Sequence, residues 1–283
     1  MAGLLIFSSA GGLLPRVIMS VQSTGGSASV LDAIKQNIIV WGASAFDTFN
    51  TSIIVWGAWA SACYLVLSAD HRDRVRPLDF VVACATFAIA AFPAAPFSWL
   101  ALSLCSAYVY LMSPRKSPLR RSAIIFFAIC VPMLWGPVLL VYAAPILLKI
   151  DAFLVATVVG AEHTGNVVHF VGSSDPSYHG VRGIQIWPPC SSFHNFSHAA
   201  LAWVALSQVL GRDLRIKDIF WCGFVTILAA SVNVARLSMI AWWPEHFDTI
   251  HGPVGAQIAG TLAILLIAFI CMAGQRRELF ARA

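Results

Sequence analysis

Long, almost uncharged apolar stretches run through this chain and limit what it can fold into. Seven of them, at 51–68, 78–92, 97–112, 123–142, 191–210, 219–243 and 254–272, carry at most one Lys, Arg, Asp or Glu each. Crossing the hydrocarbon core of a bilayer takes roughly 20 helical residues, so these stretches read as transmembrane helices. Those at 78–92 and 97–112 are short for a full crossing and are separated by Pro93 and Pro96. The runs are continuous rather than alternating, which argues against a β-barrel. Composition points the same way. The 283 residues are 59% hydrophobic and 11% charged, against about 25% charged in a soluble domain. A water-soluble globular enzyme and a disordered chain are both excluded.

The expected fold is an all-α polytopic membrane protein with about seven transmembrane helices, the length allowing roughly six to eight, and a small outward-facing hairpin-like loop. Residues 1–50 form an N-terminal segment, interrupted by Gly11, Gly12, Pro15 and Arg16. It is interfacial or contributes one further span, with a membrane-dipping piece at 38–46. Residues 51–142 hold the N-terminal helices. Residues 143–189 combine an apolar piece, broken by Pro145, Lys149 and Asp151, with a polar loop. The apolar piece is an interfacial helix or a short span. Inside the loop, 167–171 and 184–187 read as two short strands around a turn. Residues 190–273 carry the last three spans and the candidate chemistry, and 274–283 form a basic tail.

Charge fixes the orientation. The formal net charge is +5, and thirteen of the 18 Lys and Arg residues fall in four clusters. These are Arg72, Arg74 and Arg76; Arg115, Lys116, Arg120 and Arg121; Arg212, Arg215 and Lys217; and Arg276, Arg277 and Arg282. With the spans above, and with 143–160 not crossing, all four lie on one side, which the positive-inside rule makes cytoplasmic. The opposite side receives 161–189, Cys190 and 244–252. No basic aromatic patch of the kind that binds nucleic acid is present.

Seven cysteines occur, at 63, 84, 105, 130, 190, 222 and 271. The odd count without a CxxC pair argues against a disulfide framework or a zinc ribbon. Six sit in apolar runs, where Cys is an ordinary small hydrophobe. Cys190 differs: it follows Trp187-Pro188-Pro189, precedes Ser191-Ser192 and opens a span. The positive end of a helix dipole favours a thiolate at such a place. The bland alternative is a structural cysteine at the interface.

Arg236 lies inside an apolar run, where a charge costs a few kcal/mol or more unless it meets a polar partner or a cavity. Asn233, three residues earlier, shares its helix face. An arginine here can also snorkel to the interface, since Trp243 lies roughly 10 Å away along the helix. His251 stands at the mouth of the last span, on the side of Cys190, and imidazole serves as acid or base near neutral pH. A nucleophile, a proton carrier and a cation for an oxyanion are the parts of acyl transfer. His194 and His198 have the i, i+4 spacing of two metal ligands, but Asn195 stands where the HExxH pattern has its glutamate. They are read as support for the thiol or the substrate, together with Ser191. No metal and no cofactor is expected.

The order and spacing of Cys190, Asn233-x-x-Arg236 and His251, over about residues 120–273, resemble the exosortase/archaeosortase family of membrane transpeptidases. The earlier spans match only in being hydrophobic. The resemblance implies that Cys190, Arg236 and His251 are the catalytic residues. It further implies protein substrates bearing a C-terminal sorting signal, made of a motif, a transmembrane span and a basic tail. The implied reaction cleaves that signal at the outer face of a bacterial cytoplasmic (inner) membrane and passes the protein to an acceptor nucleophile. One departure is local: the family commonly has Cys-Ser-Gly where this chain has Cys190-Ser191-Ser192. Two rival classes are a non-enzymatic transporter or assembly scaffold using Arg236 to bind an anionic ligand, and a metal-dependent membrane hydrolase built on His194 and His198.

Overall fold

The computed structural model describes residues 2–23, 47–48, 51–69, 76–92, 94–169, 183–212 and 215–276. Helix dominates. Among the described residues eight apolar helical segments occur: α1 (Ala2–Ser23), α2 (Ile53–Leu67), α3 (Pro77–Ala90), α4 (Ala95–Met112), α5 (Pro118–Cys130) running on into α6 (Gly136–Val159), α7 (Phe193–Val209), α8 (Ile216–Trp242) and, after the short α9 (Phe247–His251), α10 (Pro253–Gly274). Among the described residues four stretches are long and apolar enough to cross a membrane: Ala95–Met112, Pro118–Val159, Ile216–Trp242 and Val254–Gly274. The piece expected at 38–46 lies outside the described residues, as do Arg72, Arg74, Arg277 and Arg282.

Prolines and small polar caps set the helix starts. Pro77, Pro96, Pro118 and Pro253 occupy first-turn positions, where a missing N–H costs nothing and φ is already helical. Ser117 accepts from the Arg120 amide at 3.1 Å. Asp79 and Asp218 each accept from the amide three residues earlier, of Arg76 at 2.7 Å and of Arg215 at 2.6 Å. These bonds satisfy donors that a helix start otherwise leaves open.

Two prolines that the sequence reads as interruptions, Pro15 and Pro145, lie inside helices, and Pro132 is carried in a widened turn. Pro15 lies inside α1, which is helical through Gly11, Gly12 and Arg16. Pro132 falls in the π-helical turn Val131–Trp135. There the Gly136 amide donates to the Val131 carbonyl five residues back. That widened turn absorbs the missing donor, so α5 and α6 form one 42-residue helix. At 1.5 Å per residue it is about 63 Å long, about twice the hydrocarbon thickness. Residues 143–159 are therefore not a separate interfacial helix or short span. They are the far half of α6, which ends at Gly160 in the left-handed conformation (φ 72°).

Beyond α6 the chain forms a three-stranded antiparallel sheet, β3 (Glu162–Thr164), β4 (Val167–His169) and β5 (Gly183–Gln185), in that order. The pairing of β4 with β5 matches the expected pair of strands; their connecting turn lies outside the described residues. The strand β3 is additional. A second, two-residue ladder joins β1 (Asp47–Thr48) to β2 (Thr51–Ser52) ahead of α2.

Packing divides into three apolar clusters. The largest gathers Leu5 and Leu13 of α1, Val55 and Leu65 of α2, Trp99 and Leu102 of α4, Phe126 and Ile129 of α5, and Leu201 of α7. A second joins α7, α8 and α10 through Trp203, Val225, Ala229, Ile267 and Ile270. A third lies at the far end, where Leu148, Ala152 and Val155 of α6 meet Val168, Ile184, Ile186 and, from α8, Val234, Leu237 and Ile240. Outward faces stay apolar. Val254, Ile258, Leu262, Leu265 and Phe269 form an exposed stripe along α10, a surface that suits lipid rather than water.

The described residues of the four basic clusters lie at one end of the bundle. Arg121 Nη1 donates to the Gln208 carbonyl at 3.2 Å, linking the start of α5 to the end of α7. Gln275, after α10, donates to Ser207 Oγ at 3.0 Å. Arg212 pairs with Asp218. Arg76 reaches Met112 Sδ at 3.7 Å and Tyr108 donates to Asp79 at 2.6 Å, joining the start of α3 to the end of α4. The sheet, Cys190 and His251 occupy the opposite end.

Candidate active site

Three elements converge at that far end: the turn leading into α7, the last turns of α8, and α9. Cys190 closes a 3-10 turn, Pro188–Cys190. The helix proper begins at Phe193 with Ser192 as its cap residue. Cys190 therefore stands ahead of the helix rather than at its first amides. The Ser192 amide donates to Asp151 Oδ2 at 3.1 Å, and the Phe193 amide to Ser191 Oγ at 3.2 Å. The amide of the cap residue Ser192 is taken by a carboxylate from α6.

Cys190 and His251 come together across the mouth of the bundle. Cys190 Sγ lies 3.8 Å from His251 Nε2, within hydrogen-bonding reach for sulfur. His251 ends α9 and is exposed; Cys190 is half-buried. The imidazole stacks on Phe247, with centroids 4.9 Å apart and an interplanar angle of 9°. That contact fixes the ring plane. Among the described residues no hydrogen bond to the other ring nitrogen is present, and Cys190 and His251 are described as a pair, or dyad.

Asn233 and Arg236 hold the two halves of the dyad from one face of α8. Asn233 Nδ2 donates to the Cys190 carbonyl at 2.7 Å and to Ser192 Oγ at 3.3 Å. Arg236 Nε donates to the Ile250 carbonyl at 3.2 Å, and its Nη2 to the His251 carbonyl at 3.3 Å. Asparagine has two N–H donors on its amide, and both are engaged. Asn233 thus holds backbone, and has no donor left for an oxyanion. Arginine has five; its Nε and Nη2 make the two bonds above, and no acceptor for Nη1 is found among the described residues.

Ser191 is buried, and its hydroxyl donates to Asp151 Oδ2 at 2.7 Å. It supports the loop and is not presented to solvent. His198 is buried in α7. His194 lies in the first turn of the same helix, and its side chain is outside the described residues. Among the described residues no three His, Cys, Asp or Glu side chains gather as a metal site. The arrangement as built can move a proton from a thiol to an imidazole beside an arginine, at a surface open to a peptide.

Sequence reasoning missed Asp151 as a site residue and read it as an interruption of an apolar run. The signal was available: an acidic residue in an apolar stretch raises the same question as Arg236. Its partners, 40 and 41 residues away, were not legible. Phe247 carried no signal, since an aromatic residue four before a histidine is common in any helix.

No protein-family model, curated protein or solved structure matches the chain.

Proposed function

We propose that this chain is an exosortase-like cysteine peptidase and transpeptidase. It crosses the cytoplasmic membrane of a bacterium with about seven helices, its basic end inside and its dyad facing out. The observation that carries the reading is the 3.8 Å approach of Cys190 Sγ to His251 Nε2.

The chemistry follows from that approach. His251 takes the thiol proton as Cys190 attacks the carbonyl of a peptide bond just outside the bilayer. The Arg236 Nη1 group faces the developing oxyanion. Collapse breaks the C–N bond, His251 returns the proton to the leaving amine, and a thioester remains on Cys190. An acceptor amine, hydroxyl or water then attacks the thioester, giving its proton to His251 and releasing the thiol. The substrates are exported proteins with a C-terminal sorting signal: a motif, a membrane span and a basic tail.

The transporter or scaffold reading would use Arg236 on an anionic ligand without the thiol, and it gives the Cys190–His251 approach no part to play.

The test uses the host cell. Membrane proteins with a single C-terminal span are compared between cells carrying the wild type, Cys190→Ala and His251→Ala. The reading expects a set of proteins that lose the C-terminal span in wild type and keep it in both variants. Identical C-termini in all three strains would overturn it.

A further inference from the structure

Asp151 is a carboxylate buried to 4% exposure in the far half of α6, and the reaction outlined above does not use it. Burying a carboxylate is costly unless it is hydrogen-bonded. Both bonds that Asp151 Oδ2 accepts come from the residues following Cys190: the Ser191 hydroxyl at 2.7 Å and the Ser192 amide at 3.1 Å. Ser191 Oγ in turn accepts from the Phe193 amide. The carboxylate thus ties three consecutive residues of the nucleophile loop to α6. Asn233 ties the same loop, at the Cys190 carbonyl and Ser192 Oγ, to α8. The loop is gripped from both sides.

We propose that Asp151 is a positioning residue, which fixes the Cys190–Ser192 loop against α6 so that the thiol stays within reach of His251. The inference rests on the proposed thiol–imidazole reading. It gives the extension of α6 beyond the bilayer a purpose. The α5–α6 helix carries the carboxylate past the membrane to the level of the site, and Ala152 and Val155, next along it, pack in the cluster that includes Ile186 and borders Cys190.

The physical expectation is a coupling. Misplacing a reacting group by about 1 Å costs on the order of a hundredfold in rate. Without the carboxylate, the Ser191 and Ser192 donors lose their acceptor, the loop shifts, and His251 no longer assists the thiol. Removing Asp151 and removing His251 should then have the same effect on Cys190, and removing both should add nothing.

The experiment is a double-mutant cycle on the full-length protein in detergent. Its readout is the rate of N-ethylmaleimide addition to Cys190, followed on the peptide containing that residue. Asp151→Ala, His251→Ala and the double variant are compared with wild type, and Asp151→Asn keeps an acceptor oxygen for the Ser192 amide. The expected result is about a tenfold or greater slowing in each single variant, a double variant no slower than His251→Ala, and most of the rate recovered in Asp151→Asn. Independent effects that multiply in the double variant would overturn the proposal, as would Asp151→Ala reacting like wild type. Should Asp151→Ala fail to fold, Asp151→Asn decides: a rate as low as that of His251→Ala sinks the proposal. A His251→Ala variant that reacts like wild type removes the dyad reading, and the positioning role with it. Slowing by His251→Ala alone removes only Asp151.

Discussion

Asn233 and Arg236 stand one turn apart on one face of α8, and each holds the backbone of one member of the reactive pair. Asn233 bonds the Cys190 carbonyl at 2.7 Å; Arg236 bonds the carbonyls of Ile250 and His251 at 3.2 and 3.3 Å. The i, i+3 spacing is what sets these two grips side by side. The helix acts as a jig: two loops separated by about 60 residues of chain are registered to one rigid element, which suits a geometry that acyl transfer demands.

This account separates arginine from lysine at position 236. A lysine ammonium is a point charge on a flexible stem and lacks the planar fork that reaches two carbonyls. Arg236→Lys is expected to slow maleimide addition to Cys190 about tenfold or more, in line with losing a charge-assisted hydrogen bond. An unchanged rate would show that Arg236 does not place His251. Cys190→Ser gives the complementary readout, since the enzyme reading expects it to abolish processing and a transporter reading expects it to be silent.

Asn233→Ala frees the Cys190 carbonyl and removes both bonds of a buried amide. The melting temperature in detergent should fall, with about 1–3 kcal/mol lost, and Cys190 addition should slow in parallel. Ser192→Gly removes only the longer bond, at 3.3 Å. Its expected cost is about 1 kcal/mol or less, with the thiol rate nearly unchanged. If the two variants prove equal, the Cys190 carbonyl bond is not the grip that matters.

Packing far from the site should be separable from it. A Cβ on Gly12 would lie 2.5–2.8 Å from the Trp99 ring, so α1 approaches α4 as closely as glycine allows. Gly12→Leu is expected to cost about 1–3 kcal/mol through overpacking, read as a lower melting temperature. Cys190 addition at 25 °C should keep its wild-type rate, because α1 packs against α4 and α2, away from the dyad. A slowed thiol would show that the two ends of the bundle are coupled.

Much of the site was legible in the sequence because membranes make charge conspicuous. Arg236 stood out inside an apolar run, Asn233 by its spacing, and Cys190 by the two prolines and two serines around it. Asp151 passed as an interruption, because its meaning depends on a loop 40 residues on. The helix starts were legible through their prolines and caps, to within a few residues. The length of the α5–α6 helix was not, since Pro145, Lys149 and Asp151 read as interruptions by local rules, whereas all three lie inside the helix. The same local rule hid α1, whose Pro15 is carried within the helix. The third strand β3, three residues long, carries too short a pattern to read.

The most direct test of the central claim labels intact cells with a membrane-impermeant maleimide and reads the peptide containing Cys190 by mass spectrometry, in wild type and in His251→Ala. The account predicts labelling of Cys190 in intact wild-type cells, and markedly slower labelling in His251→Ala. Labelling that appears only after the cells are permeabilised would place the thiol on the inner side. Equal labelling of the two strains would show that the imidazole 3.8 Å away does not act on it.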